Sequence, residues 1–89
     1  MSVVDTLLKS GAVAIVRTAD QASCQEAADA IVGAGLTSIE ITLTTPGAFD
    51  VIASLAARKN VCVGVGTVLT TTDVANAAKA GATFVVSPN

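Results

Sequence analysis

Hydrophobic positions along the chain come in two alternating textures. Four short runs are β-branched and nearly continuous: AVAIV (Ala12–Val16), SIEITL (Ser38–Leu43), VCVGV (Val61–Val65) and TFVV (Thr83–Val86). Each is bounded by Gly, Pro or polar turn residues, the mark of short strands. The segments between them are Ala-rich and carry helix signals. Ala22–Val32 has Asp20 or Ser23 as its N-cap, with Glu26 three residues beyond Ser23 at the spacing of a capping box, and Gly33 and Gly35 to end it. Pro46 opens a second helix at a first-turn position, with Phe49, Ile52, Ala53 and Ala56 on one face. A third helix is expected from about Thr72 to Ala80, stopped by Gly81.

Strands starting at 12, 38, 61 and 83 are separated by intervals of 26, 23 and 22 residues. A parallel strand pair needs a crossover of a dozen or more residues, and each interval supplies one. The nearly continuous apolar strands also suit a parallel sheet that is covered on its faces. VGAGLTSIEI and AKAGATFVVS echo one another at an offset of 46 residues, or two units. Four βα units can begin a doubly wound sheet or a (β/α)8 barrel. The segment after the first strand, RTADQAS, contains no glycine, which argues against a dinucleotide site there. GVGTVLT after the third strand resembles a Gly-rich phosphate loop only weakly. Eight units of this length would total roughly 184 residues, near the lower end for barrels. The expectation is therefore an α/β chain of parallel (β/α) units of a TIM barrel, the first four of eight. Residues 1–89 would form one domain, the N-terminal half of the barrel.

Only 13% of the residues are charged, so a carboxylate within a strand stands out. Glu40, Thr42 and Thr44 share one parity of the second strand, and Ile39, Ile41 and Leu43 share the other. The larger apolar set belongs beneath the helices, which turns Glu40 and the threonines into the barrel. Arg17, Thr67 and the Ser87-Pro88-Asn89 segment all fall at or beyond the C-terminal ends of strands, where barrel enzymes assemble their sites. Glu40 has two readings: an ion pair with Arg17 that satisfies two buried charges, or a general acid/base. Arg17 is either a surface arginine at a strand end or a fork for a carboxylate. Thr67 alone is a turn hydroxyl. Taken together, the three read as a site for an anionic substrate.

Composition removes several other classes. The net charge is −2 with scattered signs, and there is no Trp or Tyr and only two Phe, against nucleic-acid binding. No apolar run approaches the roughly 18 residues of a membrane span. The segment MSVVDTLLKSG has Asp5 and no basic region before it, unlike a signal peptide, so a cytoplasmic protein is expected. Cys24 and Cys62 lie 38 residues apart with no CxxC and no His in the chain, which leaves a metal without ligands and reads as two reduced thiols.

AIVR, IEITLTTPGA, VGVGTVLT and GATFVVSPN, in this order and spacing, resemble the start of the 2-keto-3-deoxy-6-phosphogluconate (KDPG) and 4-hydroxy-2-oxoglutarate aldolases over essentially all 89 residues. The resemblance implies a class I aldolase on a (β/α)8 barrel, commonly a homotrimer, that needs no cofactor. Such enzymes cleave a 2-keto acid of central carbohydrate metabolism to pyruvate and an aldehyde. It implies that Glu40 shuttles protons, that Thr67 and the backbone at Gly66 hold the pyruvate carboxylate, and that Ser87 and Pro88 belong to the substrate site. Many relatives carry arginine at the position of Thr44; this sequence resembles those with a small residue there and a carboxylate-binding arginine at Arg17. The Schiff-base lysine of the family lies on the sixth strand, outside these residues. Lys9, Lys59 and Lys79 fall in helical or loop segments and do not replace it. The alternative is an inactive half-barrel module that associates with itself or with a complementary chain, since open edge strands invite pairing.

Overall fold

The computed structural model describes residues 13–86. Four strands, β1 (Ala14–Val16), β2 (Ser38–Thr42), β3 (Cys62–Gly66) and β4 (Phe84–Val85), alternate with three helices, α1 (Gln21–Gly33), α2 (Ala48–Ala56) and α3 (Thr71–Ala80). The sheet is parallel throughout and its strands lie in chain order. The strands are shorter than the apolar runs suggest. Val13 lies outside β1, Leu43 and Val86 lie beyond the ends of β2 and β4, and β3 is shifted by one residue to take in Gly66. Ala12 lies outside the described residues.

Register sorts the side chains. Ile39 and Ile41 of β2 pair with Val63 and Val65 of β3, and all four are buried on one face of the sheet. They form a single core with Cys24 and Ala28 of α1, Val51, Ile52 and Leu55 of α2, and Ala77 of α3. The α2 helix touches both α1 and α3, so the three helices cover this same face. Fully burying an aliphatic side chain contributes roughly 1.5–3 kcal/mol, and this layer sets the sheet's orientation. Burial pushes the Cys24 thiol up in pKa, against a smaller lowering by the Thr18 hydroxyl. Cys24 and Cys62 are both free and buried.

The helix ends show which local signals operate. At α1 the Asp20 carboxylate accepts from the Ser23 backbone N–H at 2.8 Å, so Asp20 is the cap and the Ser23–Glu26 spacing is not used as a box. Gly33 remains helical, and the chain reverses at Gly35 with φ +101°. The second helix starts at Ala48 with Gly47 (φ +71°) as its cap, so Pro46 precedes the helix instead of opening it. Its buried face is Ala48, Val51, Ile52 and Leu55, with Ala53 exposed. Thr70 caps α3 and left-handed Gly81 ends it, the latter as expected from sequence.

The cap on α1 gives a pH test. The Ser23 backbone N–H, then its hydroxyl, hold Asp20 below its ordinary value of 3.8. A depressed folded-state pKa means that the cap contributes fully above the unfolded value and is lost as pH falls through the folded one. Asp20→Asn keeps an acceptor but does not titrate. Its acid unfolding, followed by circular dichroism below pH 3.8, is expected to be less steep than that of the unaltered chain.

Candidate functional site

The sheet face away from the helices carries the chemistry. Pairing of Ile15 with Glu40 and of Glu40 with Gly64, then of Thr42 with Gly66, aligns these residues on one surface, together with Phe84 opposite Gly64. Arg17 follows β1 two residues after Ile15 and so shares its face. Glu40 is 9% exposed. It makes no hydrogen bond or ion pair with any described residue. The residue as a whole is buried.

The ion pair between Glu40 and Arg17 is not formed. Arg17 is exposed, and its Nε donates to Thr42 Oγ1 at 3.4 Å. Thr42 Oγ1 also lies 3.0 Å from Thr44 Oγ1 and 3.4 Å from Thr45 Oγ1. Thr45 in turn accepts from the Thr18 backbone N–H at 3.2 Å, which ties the β1 end to the β2 end. A hydroxyl has one proton to give and two lone pairs, so Thr42 accepts from Arg17 and donates to one of its threonine neighbours. The remaining guanidinium N–H groups have no partner among the described residues. They suit the bidentate recognition of a carboxylate or phosphate.

Thr67 follows β3 directly and is held at φ +61°. For a β-branched residue that is a genuine outlier, of the kind that costs on the order of 1–3 kcal/mol and clusters at functional sites. The turn is fastened on its far side, where the Val68 N–H donates to Val86 O at 3.2 Å. Sequence reasoning thus places Glu40 and Thr42 on the inner face correctly and puts Arg17 and Thr67 on the same C-terminal rim. Thr44 is exposed and reaches the site through Thr42. Ser87 and Pro88 lie outside the described residues. The roles of Thr42 as Arg17's partner and of Thr45 as a tie between strands were not apparent in sequence, because both depend on how β1 sits beside β2. A groove bordered by Leu43, Pro46, Phe49 and Asp73 opens beside α2, and none of Arg17, Glu40 or Thr67 lines it. Among the described residues no group of three His, Cys, Asp or Glu is placed to hold a metal, and no helix is long and apolar enough to cross a membrane.

The family model for KDPG and KHG aldolase matches residues 3–89. The chain belongs to this family. It is 41% identical over 87 residues to the 2-dehydro-3-deoxy-phosphogluconate aldolase of Pseudomonas aeruginosa, across 96% of this chain and 40% of that protein. It is 39% identical over 69 residues to the enzyme of the same name from Zymomonas mobilis, across 78% of this chain and 33% of that protein. A crystal structure of 2-keto-3-deoxy-6-phosphogluconate aldolase from Zymomonas mobilis superposes with TM-score 0.79 at 32% identity, covering 96% of this chain and 42% of the other. A second, with 3-phosphoglycerate, gives TM-score 0.69 at 35% identity and covers 86% and 36%. The chain therefore spans a third to two fifths of the length of the curated family members it matches. Its parallel sheet with alternating helices matches the TIM-barrel type of fold of those structures.

The backbone at Thr67 can be tested without any substrate. Glycine occupies the left-handed region at no steric cost, so Thr67→Gly is expected to unfold in urea with a free energy unchanged or up to about 1 kcal/mol higher. A clear loss of stability would show that the threonine side chain itself holds the turn.

Proposed function

We propose that this chain supplies the acid/base and carboxylate-binding half of a class I aldolase. The enzyme would cleave a 4-hydroxy-2-keto acid, KDPG in the first place and 4-hydroxy-2-oxoglutarate by the same chemistry, to pyruvate and an aldehyde. The observation that carries this reading is Glu40: a buried, inward carboxyl on β2 with no hydrogen bond or ion pair to any described residue, in a chain of the KDPG and KHG aldolase family. Residues 1–89 would be the first four of eight βα units. The lysine that forms the Schiff base would come from the sixth strand, beyond them. No lysine of the described residues is placed to serve, since Lys59 sits in the turn after α2 and Lys79 on α3, both exposed.

On this reading each group has one task. Lysine condenses with the C2 ketone and releases water, leaving an iminium ion. Glu40 takes the proton of the C4 hydroxyl, the C3–C4 bond breaks, and its electron pair neutralises the iminium to an enamine as the aldehyde departs. Glu40 then returns a proton to C3, and water hydrolyses the product imine to pyruvate. Arg17, steadied by Thr42, holds the substrate carboxylate, and Thr67 at the end of β3 contributes a hydroxyl or its backbone N–H. Both lie at the C-terminal rim, where barrel enzymes keep their chemistry.

Two variants of the full-length protein test the assignment. General acid/base groups contribute about 10²–10⁴-fold, so Glu40→Gln is expected to lose that much in kcat while borohydride still traps pyruvate on the protein, read by intact mass. Near-normal turnover would make Glu40 structural. Arg17→Ala is expected to raise KM for the keto acid with a smaller change in kcat, because it removes a charge-assisted contact. An unchanged KM would assign the carboxylate to another group.

A further inference from the structure

We infer that Gly66 is a positioning residue for Glu40, its missing side chain being the seat that holds the carboxyl across β3; the catalytic part of this inference rests on the aldolase reading. A Cβ at Gly66 would lie 2.8 Å from Glu40 Cδ and 3.2 Å from Cγ, and it would collide with Oε1. Among the glycines whose backbone demands glycine are Gly35, Gly47 and Gly81, all with positive φ, but Gly66 is not one of them. The residue sits in regular strand, where any side chain fits the backbone. Glycine there serves space, and Glu40 fills that space.

A second glycine explains why Glu40 reaches so far. Its own register partner on β3 is Gly64, two residues earlier. A Cβ at Gly64 would collide with three atoms of the Phe84 ring, which lies across that position from β4. The direct place for the Glu40 side chain is therefore taken. Phe84 blocks the lower seat, and the carboxyl is carried to the upper one, beside Gly66 and one residue from Thr67. This moves the proton-transferring atoms toward the C-terminal rim, where Arg17 and Thr67 stand. In this reading Gly66 acts on the reaction through Glu40, and not only as a backbone contact for the substrate.

The experiment uses the full-length protein with Gly66→Ala, Glu40→Gln and the double variant. Displacing a catalytic group by about 1 Å can cost on the order of 10²-fold, so Gly66→Ala is expected to lower kcat roughly 10–100-fold with KM for the keto acid little changed. In the Glu40→Gln background it is expected to cost nothing further, since neighbours that act through one another are not additive. A raised KM, or an undiminished loss in that background, would overturn the inference in favour of direct substrate contact. Should Gly66→Ala not fold, Phe84→Leu opens the lower seat and is expected to lower kcat in the same way, again without effect on KM; unchanged kcat would overturn the inference. The 13C resonance of the Glu40 carboxyl reads the seat without turnover and is expected to move in Gly66→Ala. An unmoved resonance overturns the seat whatever the activity. Failure to trap pyruvate on the unaltered protein would instead overturn the aldolase reading, and the catalytic part with it.

Discussion

The two-residue period of β2 is the constraint on which the site depends. Because successive side chains of a strand point to opposite faces, committing Ile39 and Ile41 to the helices commits Glu40 and Thr42 to the other side. Neither arrangement can change alone. A slip of one residue would put a carboxylate into a core built of Ile, Leu and Val, and it would expose two isoleucines. Burial of the apolar set is thus what places the polar set, and the energy for holding Glu40 inward comes from the opposite face of the sheet.

The adjoining strand is built to receive what β2 presents. On its helix side β3 offers Val63 and Val65, which close against the isoleucines. On its inner side it offers Cys62, Gly64 and Gly66, two of them without side chains. Glycine weakens a strand interior and often marks a place where another group approaches closely. Here both approaches can be named: the Phe84 ring from β4 and the Glu40 side chain from β2. The inner layer is filled from both sides of β3, which contributes only its backbone between them.

Much of this was legible in sequence because the chain is so sparing with charge. Four apolar runs at even spacing fixed the order of elements, and the parity of Glu40 within SIEITL settled which face it joins. Contacts that depend on the stagger between neighbouring strands were not legible. Arg17 reads naturally as a partner for Glu40, yet its Nε meets Thr42, because β1 stands so that its end lies beside Thr42 and Thr45. Gly66 reads as part of a Gly-rich turn, since nothing in GVGTV says that a side chain 26 positions earlier crosses the strand at that point. The buried face of α2 was misplaced by one position, since Val51 and Leu55 at helical spacing make the more apolar stripe. A left-handed Gly47 begins the helix after Pro46, and the buried stripe is Ala48, Val51, Ile52 and Leu55.

The separation of Glu40 from Arg17 has a chemical consequence under the aldolase reading. An arginine bonded directly to the carboxyl would occupy the oxygens that must reach the substrate. A group that must take a proton from one carbon's hydroxyl and return it to another needs both forms within reach. Arginine has the opposite requirement: its charge is permanent, and its fork is useful only when aimed at the substrate. Thr42 serves both by accepting Arg17's Nε, which orients the guanidinium while leaving it charged and out of an ion pair. Under that reading the two groups stand on one face of the sheet with separate tasks, Arg17 for a fixed anion and Glu40 for a mobile proton.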